Sequence, residues 1–237
     1  MAFRFKQFFV ADDRCAMKVG TDGVLLGAWS RVESLLGEPC RILDIGTGSG
    51  LVALMLAQQY TEADILGIDI SPEAVGQANA NFAASPWGNR LSAVAVPLQS
   101  CHAAGTFDIV VSNPPYFNNS LRAPERLRST ARHTDTLSYE DLLLYSERLL
   151  ASHGHLFLVL PADAESVVMQ IVGGCPALVL QQICYVHGTP AKPAKRMLLH
   201  FAKDAIPGAA EPSHLVLESQ PNHRTPEYAR LTKDFYL

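Results

Sequence analysis

The chain has no apolar run long enough to cross a membrane as a helix, no internal repeat and no low-complexity tract. Arg4 and Lys6 break the apolar run at the start, so no secretory leader is expected there. Its five cysteines, at 15, 40, 101, 175 and 184, are odd in number and include no C-x-x-C pair. A disulfide scaffold or a cysteine zinc site is therefore excluded, and the thiols read as reduced and mostly buried in a cytoplasmic protein. The histidines show no ligand spacing, so no metal is expected. Charge is also scarce: 18% of residues are charged, and the net charge is −4. Such a balance gives no overall electrostatic advertisement for nucleic acid. What remains is 237 residues, 48% hydrophobic, enough for one folded domain with a sizeable core.

The most informative stretch is Phe107-Asp108-Ile109-Val110-Val111-Ser112-Asn113-Pro114-Pro115-Tyr116. Its apolar run reads as a buried parallel strand. The strand must end at the prolines, which lack backbone donors, fix φ and push the preceding residue into an extended conformation. A stiff loop then sits at the carboxyl end of a strand, where open α/β sheets bind ligands. It presents an amide, free carbonyls and a ring, a set that suits a planar substrate bearing an amino group.

A second motif, Arg41-Ile42-Leu43-Asp44-Ile45-Gly46-Thr47-Gly48-Ser49-Gly50, reads as a strand entering a glycine-rich turn, with a helix from Leu51 to Gln59. A dinucleotide turn needs G-x-G-x-x-G, but Leu51 stands where its third glycine would fall. Asp44 ahead of the glycines repels a pyrophosphate and suits a cation. The next strand, Asp64 to Asp69, ends in an acid placed to accept from ribose hydroxyls. Ser71-Pro72-Glu73 then opens a helix with an N-cap, a proline at N1 and an acid in the first turn. A ribose, a positive charge and no pyrophosphate point to S-adenosylmethionine.

On these motifs the chain resembles the class I S-adenosylmethionine-dependent methyltransferases of the Asn-Pro-Pro-Tyr group, which methylate exocyclic or amide nitrogens. It is similar in particular to the bacterial tRNA(Val) adenine-N6 methyltransferase family, whose target lies beside the anticodon. That likeness rests on Phe5-Lys6-Gln7-Phe8-Phe9-Val10, Met17-Lys18-Val19-Gly20-Thr21-Asp22-Gly23, Leu26-Gly27-Ala28-Trp29, Ser85-Pro86-Trp87 and the ending Leu231-Thr232-Lys233-Asp234-Phe235-Tyr236-Leu237. It implies catalysis by Asn113, Pro114, Pro115 and Tyr116. It implies cofactor contacts from Asp44, Gly46, Thr47, Gly48, Gly50, Asp69 and Ile70, and from Lys18, Thr21, Asp22 and Gly23 in a segment over the cofactor. Relatives commonly carry Asp or Asn after the third strand, near the cofactor adenine. Here Pro97-Leu98 stands in its place, leaving Gln99 or a backbone carbonyl for that contact.

The fold implied is a Rossmann-like α/β domain with a mostly parallel seven-stranded sheet, helices on both faces and a small N-terminal extension. One domain spans 1–237: extension 1–38, core 39–203, tail 204–237. The elements expected are a strand-like lead over 3–10 with 15–19 pairing to it, and a helix over 22–32. Strands follow at 41–45, 64–69, 91–96, 107–112, 154–160, 178–186 and 196–202. Helices alternate with them at 50–59, 72–84, 138–151 and 163–173, and a terminal helix covers 226–236. Arg122, Arg126, Arg128 and Arg132, with only Glu125 against them and His133 beside them, form a basic run directly after the catalytic loop. They are the expected tRNA phosphate contacts, with Lys195 and Arg196 as a second group. Nothing demands more than a monomer. An alternative substrate is a protein glutamine, whose amide shows the same edge, but about forty residues before the turn are too few for the helical domain of that family. DNA adenine would call for a recognition domain that is not visible. A module that only binds the cofactor would leave Asn113 or the glycines decayed, and both motifs are intact.

Overall fold

The computed structural model describes residues 2–103, 105–115, 137–206, 208 and 211–237. The chain opens with a hairpin, β1 (Ala2–Arg4) against β2 (Phe9–Ala11), and then a helix, α1 (Thr21–Trp29). The alternating core follows: β3 (Arg41–Ile45), α2 (Leu51–Gln59), β4 (Asp64–Asp69), α3 (Pro72–Ala83), β5 (Leu91–Ala95) and β6 (Phe107–Ser112). After it come α4 (Tyr139–Leu149), β7 (Leu150–Pro161), α5 (Glu165–Val172), β8 (Leu178–His187) and β9 (Ala194–Lys203). The tail adds β10 (Ser213–Val216), a small hairpin of β11 (Glu218–Gln220) and β12 (His223–Arg224), and α6 (Pro226–Leu231).

The main sheet has eight strands in the order β10-β8-β9-β7-β6-β3-β4-β5. Within it β9 alone runs against its neighbours. Strand order reverses at β3, which pairs β4 on one side and β6 on the other. Chain connections leave that point in opposite directions, which opens a crevice at the carboxyl ends of β3 and β6. The glycine turn and the Asn-Pro-Pro loop are the two segments that emerge there.

Two-residue periodicity divides the core between the sheet's faces. Ile42, Ile109, Val111, Phe157 and Val159 face one apolar layer with Leu25 and Leu26 of α1, Leu54 of α2 and Phe82 of α3. Leu43, Val110, Leu156, Leu158 and Leu160 face the other, with Leu142 and Leu143 of α4 and Val168 of α5. Each large aliphatic side chain buried this way contributes about 1.5–3 kcal/mol. Helix starts follow the local chemistry. Ser71 accepts from the Ala74 N–H with Pro72 in the first turn, and Ser138 accepts from the Asp141 N–H. Among the described residues no helix is long and apolar enough to cross a membrane, and no group of three or more His, Cys, Asp or Glu is placed to hold a metal.

Five local readings differ from what the sequence pattern predicts, one being the terminal helix expected over 226–236, which ends at Leu231. The lead expected as one strand over 3–10 folds back on itself, Ala2–Arg4 pairing with Phe9–Ala11, and residues 15–19 do not pair with it. That segment instead curls into a loop, because the Asp12 carboxylate accepts from the Val19 N–H at 2.9 Å and the Lys18 ammonium donates to the Asp12 carbonyl at 2.6 Å. The helix expected to run to 32 ends at Trp29, where the buried Tyr60 hydroxyl donates to the Ser30 carbonyl and accepts from the Val32 N–H. Helix α4 stops at Leu149 because Leu150 already pairs with Phe107. The sheet gains an eighth strand, β10, parallel to β8.

Two histidines interrupt the apolar face shared by β7 and β9. His155 Nδ1 and His200 Nε2 lie 2.9 Å apart, and the His200 ring stacks on Phe157 at 4.2 Å. The other ring nitrogen of His200 is buried with no hydrogen-bond partner in the described structure. Burial, with His155 beside it, holds the His200 pKa down to about 4, and burial lowers that of His155 too. Both rings therefore hold a proton less readily than in the unfolded chain, where an imidazole titrates at about 6.5. The contribution of His200 is fully present above pH 6.5 and is lost as pH falls towards 4. His200 alone should make the fold about 2 kcal/mol less stable at pH 5 than at pH 7. Urea midpoints at the two pH values should show this drop, and His200→Leu should remove most of it.

Candidate active site

The site is built where β3 and β6 end side by side. The buried Ser112 hydroxyl donates to the Ile45 carbonyl at 2.9 Å, which ties the two strand ends together. After β3 the chain turns through Gly46, Gly48 and Gly50, all at positive φ (71°, 54° and 79°). The Gly46 and Thr47 N–H groups donate to the Ile68 carbonyl, fastening the turn to β4. Gly50 is constrained twice: it begins α2 in the left-handed conformation, and a Cβ there would lie 2.4 Å from the buried ring of Phe82. Gly50→Ala should therefore cost about 2–4 kcal/mol, from left-handed backbone and displacement of a core ring. Chemical denaturation of the variant checks this, and a loss below 1 kcal/mol would mean that Phe82 has room to move.

Two carboxylates flank the turn. Asp44 is buried and accepts from the Thr47 hydroxyl at 2.7 Å and from the Ala53 backbone N–H. Burial, with Asp69 nearby, pushes its pKa up to about 7 against the lowering effect of those two donors. Asp69 accepts from the Gly48 N–H at 2.9 Å with one oxygen and from the Ser71 N–H at 3.0 Å with the other. Each Asp69 oxygen keeps a second lone pair, and the carboxylate lines the cavity.

The cavity has a volume of about 350 Å³, within the range of small-molecule pockets. Its floor is the glycine turn, and one wall is the curled loop Cys15–Val19 with Gly23. An apolar part of the lining is formed by Ile70, Val96, Pro97 and Leu98. Ile70 is 59% exposed, a large apolar side chain left open to the cavity edge. Asn113, Pro114 and Pro115 close the far end, with the Asn113 amide nitrogen 3.6 Å from the Met17 sulfur. This donor set fits S-adenosylmethionine. The positive-φ turn brings backbone close to a ligand, the carboxylates suit ribose hydroxyls and a cation, and the apolar wall suits a flat base.

Of the residues expected at the cofactor, Lys18, Gly23, Asp44, Gly46, Thr47, Gly48, Asp69 and Ile70 line the cavity. Gly50 shapes the turn from behind it. Thr21 and Asp22 lie at the start of α1 outside the lining, and Asp22 accepts from Arg196 Nε at 2.9 Å. The expected RNA contact Arg196 and the expected cofactor contact Asp22 thus meet each other. Lys195 beside them is exposed. Gln99 lines the cavity, but its amide nitrogen donates to Asp141 at 3.1 Å. Tyr116, Arg122, Arg126, Arg128, Arg132 and His133 lie outside the described residues.

Sequence reasoning missed Met17 and Asn81. Asn81, buried on α3, bonds both backbone groups of Ala11 and donates to the Ser49 carbonyl at 2.8 Å. It locks the N-terminal hairpin to the glycine turn. Its partners are 70 and 32 residues away, so no local pattern points to it.

The Methyltransferase small domain family model matches residues 30–181. A tRNA1(Val) (adenine(37)-N6)-methyltransferase of Phocaeicola vulgatus is 45% identical over 99% of this chain and 97% of its own length. One of that name from Yersinia enterocolitica is 42% identical over 99% of this chain and 92% of its own length. Among solved structures, a predicted O-methyltransferase from Agrobacterium tumefaciens superposes with a TM-score of 0.70 at 19% identity, covering 90% of this chain and 96% of that one. The type I restriction-modification methyltransferase subunit of Streptococcus thermophilus gives 0.62 at 13%, covering 91% of this chain and 52% of its own. These two show the fold, an S-adenosylmethionine-type Rossmann sheet. The near-complete match to the first two relatives settles the closer kinship: the chain belongs to the bacterial tRNA1(Val) (adenine(37)-N6)-methyltransferase family.

Proposed function

We infer that the protein transfers the methyl group of S-adenosylmethionine to N6 of adenosine 37 in tRNA1(Val). The observation that carries the reading is the joining of the Asn113-Pro114-Pro115 loop and the glycine turn in one cavity at the strand-order reversal. The cofactor supplies an activated methyl group on a sulfonium. Asp69 holds the ribose hydroxyls, and the turn at Gly46 and Gly48 accommodates the amino-acid end. Asp44 acts behind the turn, holding Thr47 and the start of α2. The Asn113 Oδ1 and the Pro114 carbonyl accept hydrogen bonds from the two N–H groups of the target amino group; as the N6–methyl bond forms the sulfur–methyl bond breaks, and one N6 proton is lost to solvent. An adenine amino nitrogen is a poor nucleophile because its lone pair is delocalised. Two acceptors on its protons favour a pyramidal nitrogen with the lone pair turned towards the methyl group, so positioning supplies the acceleration.

The base must leave its stack to reach Asn113, and a loop adenosine does so at small cost. In this reading Tyr116 stacks on the base. Arg122, Arg126, Arg128, Arg132, His133 and Lys195 contact RNA phosphates. In this reading the enzyme acts as a monomer, and it meets its tRNA substrate in the cytoplasm. The test is transfer from labelled S-adenosylmethionine to unmodified tRNA1(Val), followed by nucleoside analysis. N6-methyladenosine at a single position is expected. Label in a release-factor glutamine and none in tRNA would overturn the substrate.

A further inference from the structure

The curled loop Asp12–Val19 does more than wall the cavity. It delivers Met17, 43% exposed, to the Asn113 side chain, where the amide nitrogen donates to the thioether sulfur at 3.6 Å. That separation is ordinary for a sulfur acceptor. On its other flank the same nitrogen lies against Gly23: a Cβ added there would be 3.9 Å from it. The loop that carries Met17 is held from two ends. Asp12 closes it through the Val19 N–H, and Asn81 fixes the preceding Ala11 to α3 and to the glycine turn.

A primary amide has one accepting end and one donating end, and it can rotate by half a turn. Only one orientation leaves Oδ1 towards an amino group waiting at the cavity. The other would turn two N–H donors towards the donors of the substrate, which repels it. We propose that Met17 is a positioning residue for the transfer: its sulfur takes the Asn113 N–H and so selects the orientation in which Oδ1 faces the target nitrogen. A thioether suits this place because it accepts weakly and cannot donate. It therefore engages the nitrogen end and never the oxygen end of the amide. The inference rests on the proposed role of Asn113 in amino-group methylation.

The role predicts an inverted tolerance at this position. Met17→Leu keeps the volume and apolar character and removes the acceptor. Met17→Glu keeps the chain length and restores an oxygen acceptor that, like the thioether, cannot donate, at the cost of a charge. For a position that only packs, leucine would be the benign change and glutamate the harmful one. For an orienting acceptor, leucine should lower kcat about three- to tenfold, in line with one lost hydrogen bond. In the leucine variant KM for tRNA and the Kd of S-adenosylhomocysteine should stay within twofold, and Met17→Glu should recover most of kcat. The measurement is steady-state and single-turnover methyl transfer to tRNA1(Val) at saturating cofactor, with calorimetric Kd values for all three proteins. A leucine variant with wild-type kcat, or a glutamate variant no faster than leucine, overturns the proposal. Absence of transfer by the wild-type enzyme would instead overturn the reading of function on which it stands.

Discussion

Replacing Asn113 with alanine is expected to lower the rate of methyl transfer by about 10³-fold while leaving cofactor affinity within threefold. Removing one preorganised hydrogen-bonding group that acts in the transition state typically costs 10²–10³ in turnover. Here the same group also sets where the base sits, which adds a positioning loss. Cofactor binding should be spared because the carboxylate of Asp69, the turn and the apolar wall lie on the other strands' termini. Stability should change little, since Asn113 is half-buried in a loop beyond the last paired residue of β6, and the strand end is fastened by Ser112. Asn113→Asp keeps an acceptor but places a second acceptor beside the Met17 sulfur, so it should retain more activity than alanine and less than wild type. Single-turnover transfer and calorimetry with S-adenosylhomocysteine separate the terms. Parallel loss of cofactor affinity in the alanine variant would show that Asn113 holds the cofactor rather than the amino group.

Much of this architecture is legible in the sequence because the decisive signals are local. The glycine spacing after Asp44 sets the turn. Ser71-Pro72 starts α3 where it stands, and the prolines after Asn113 end β6 at Ser112. What escapes the sequence depends on contacts between distant residues. The alternation in Cys15–Val19 suits a strand, yet the Asp12 side chain closes that segment into a loop. Helical periodicity continues through Leu149 into Leu150, and only pairing with Phe107 decides that the strand begins there. Strand β10 is four residues long and carries too little pattern to stand out; it exists because β8 offers an open edge. The same limit applies at the site. The motif residues Asp69 and Asn113 announce themselves, whereas Met17 and Asn81 become visible only when three remote segments are brought together.

The arrangement also says why Asp69 should be the most sensitive cofactor residue. Its carboxylate has two tasks at once. Inward it holds the Gly48 and Ser71 N–H groups, so the turn after β3 and the start of α3 are both referenced to the end of β4. Outward its remaining lone pairs face the cavity, where two ribose hydroxyls would donate. Charge-assisted hydrogen bonds of this kind contribute about 1.5–3 kcal/mol each. Asp69→Ala should therefore weaken binding of S-adenosylhomocysteine by about 10²-fold or more. Asp69→Asn keeps one oxygen and loses the charge and the second acceptor, so its loss should be intermediate, about tenfold. The alanine variant also strands the Gly48 and Ser71 donors, and a stability loss of about 1–3 kcal/mol is expected with it. The two tasks can be told apart by comparing the variants at a fixed fraction folded. Were Asp69 only a brace for the turn, affinity would follow stability, and a variant held folded at low temperature would bind normally. A direct ribose contact predicts the opposite: the Kd stays raised when the protein is fully folded, and 2′-deoxy or 3′-deoxy analogues of the cofactor product lose affinity for wild type but not for Asp69→Ala.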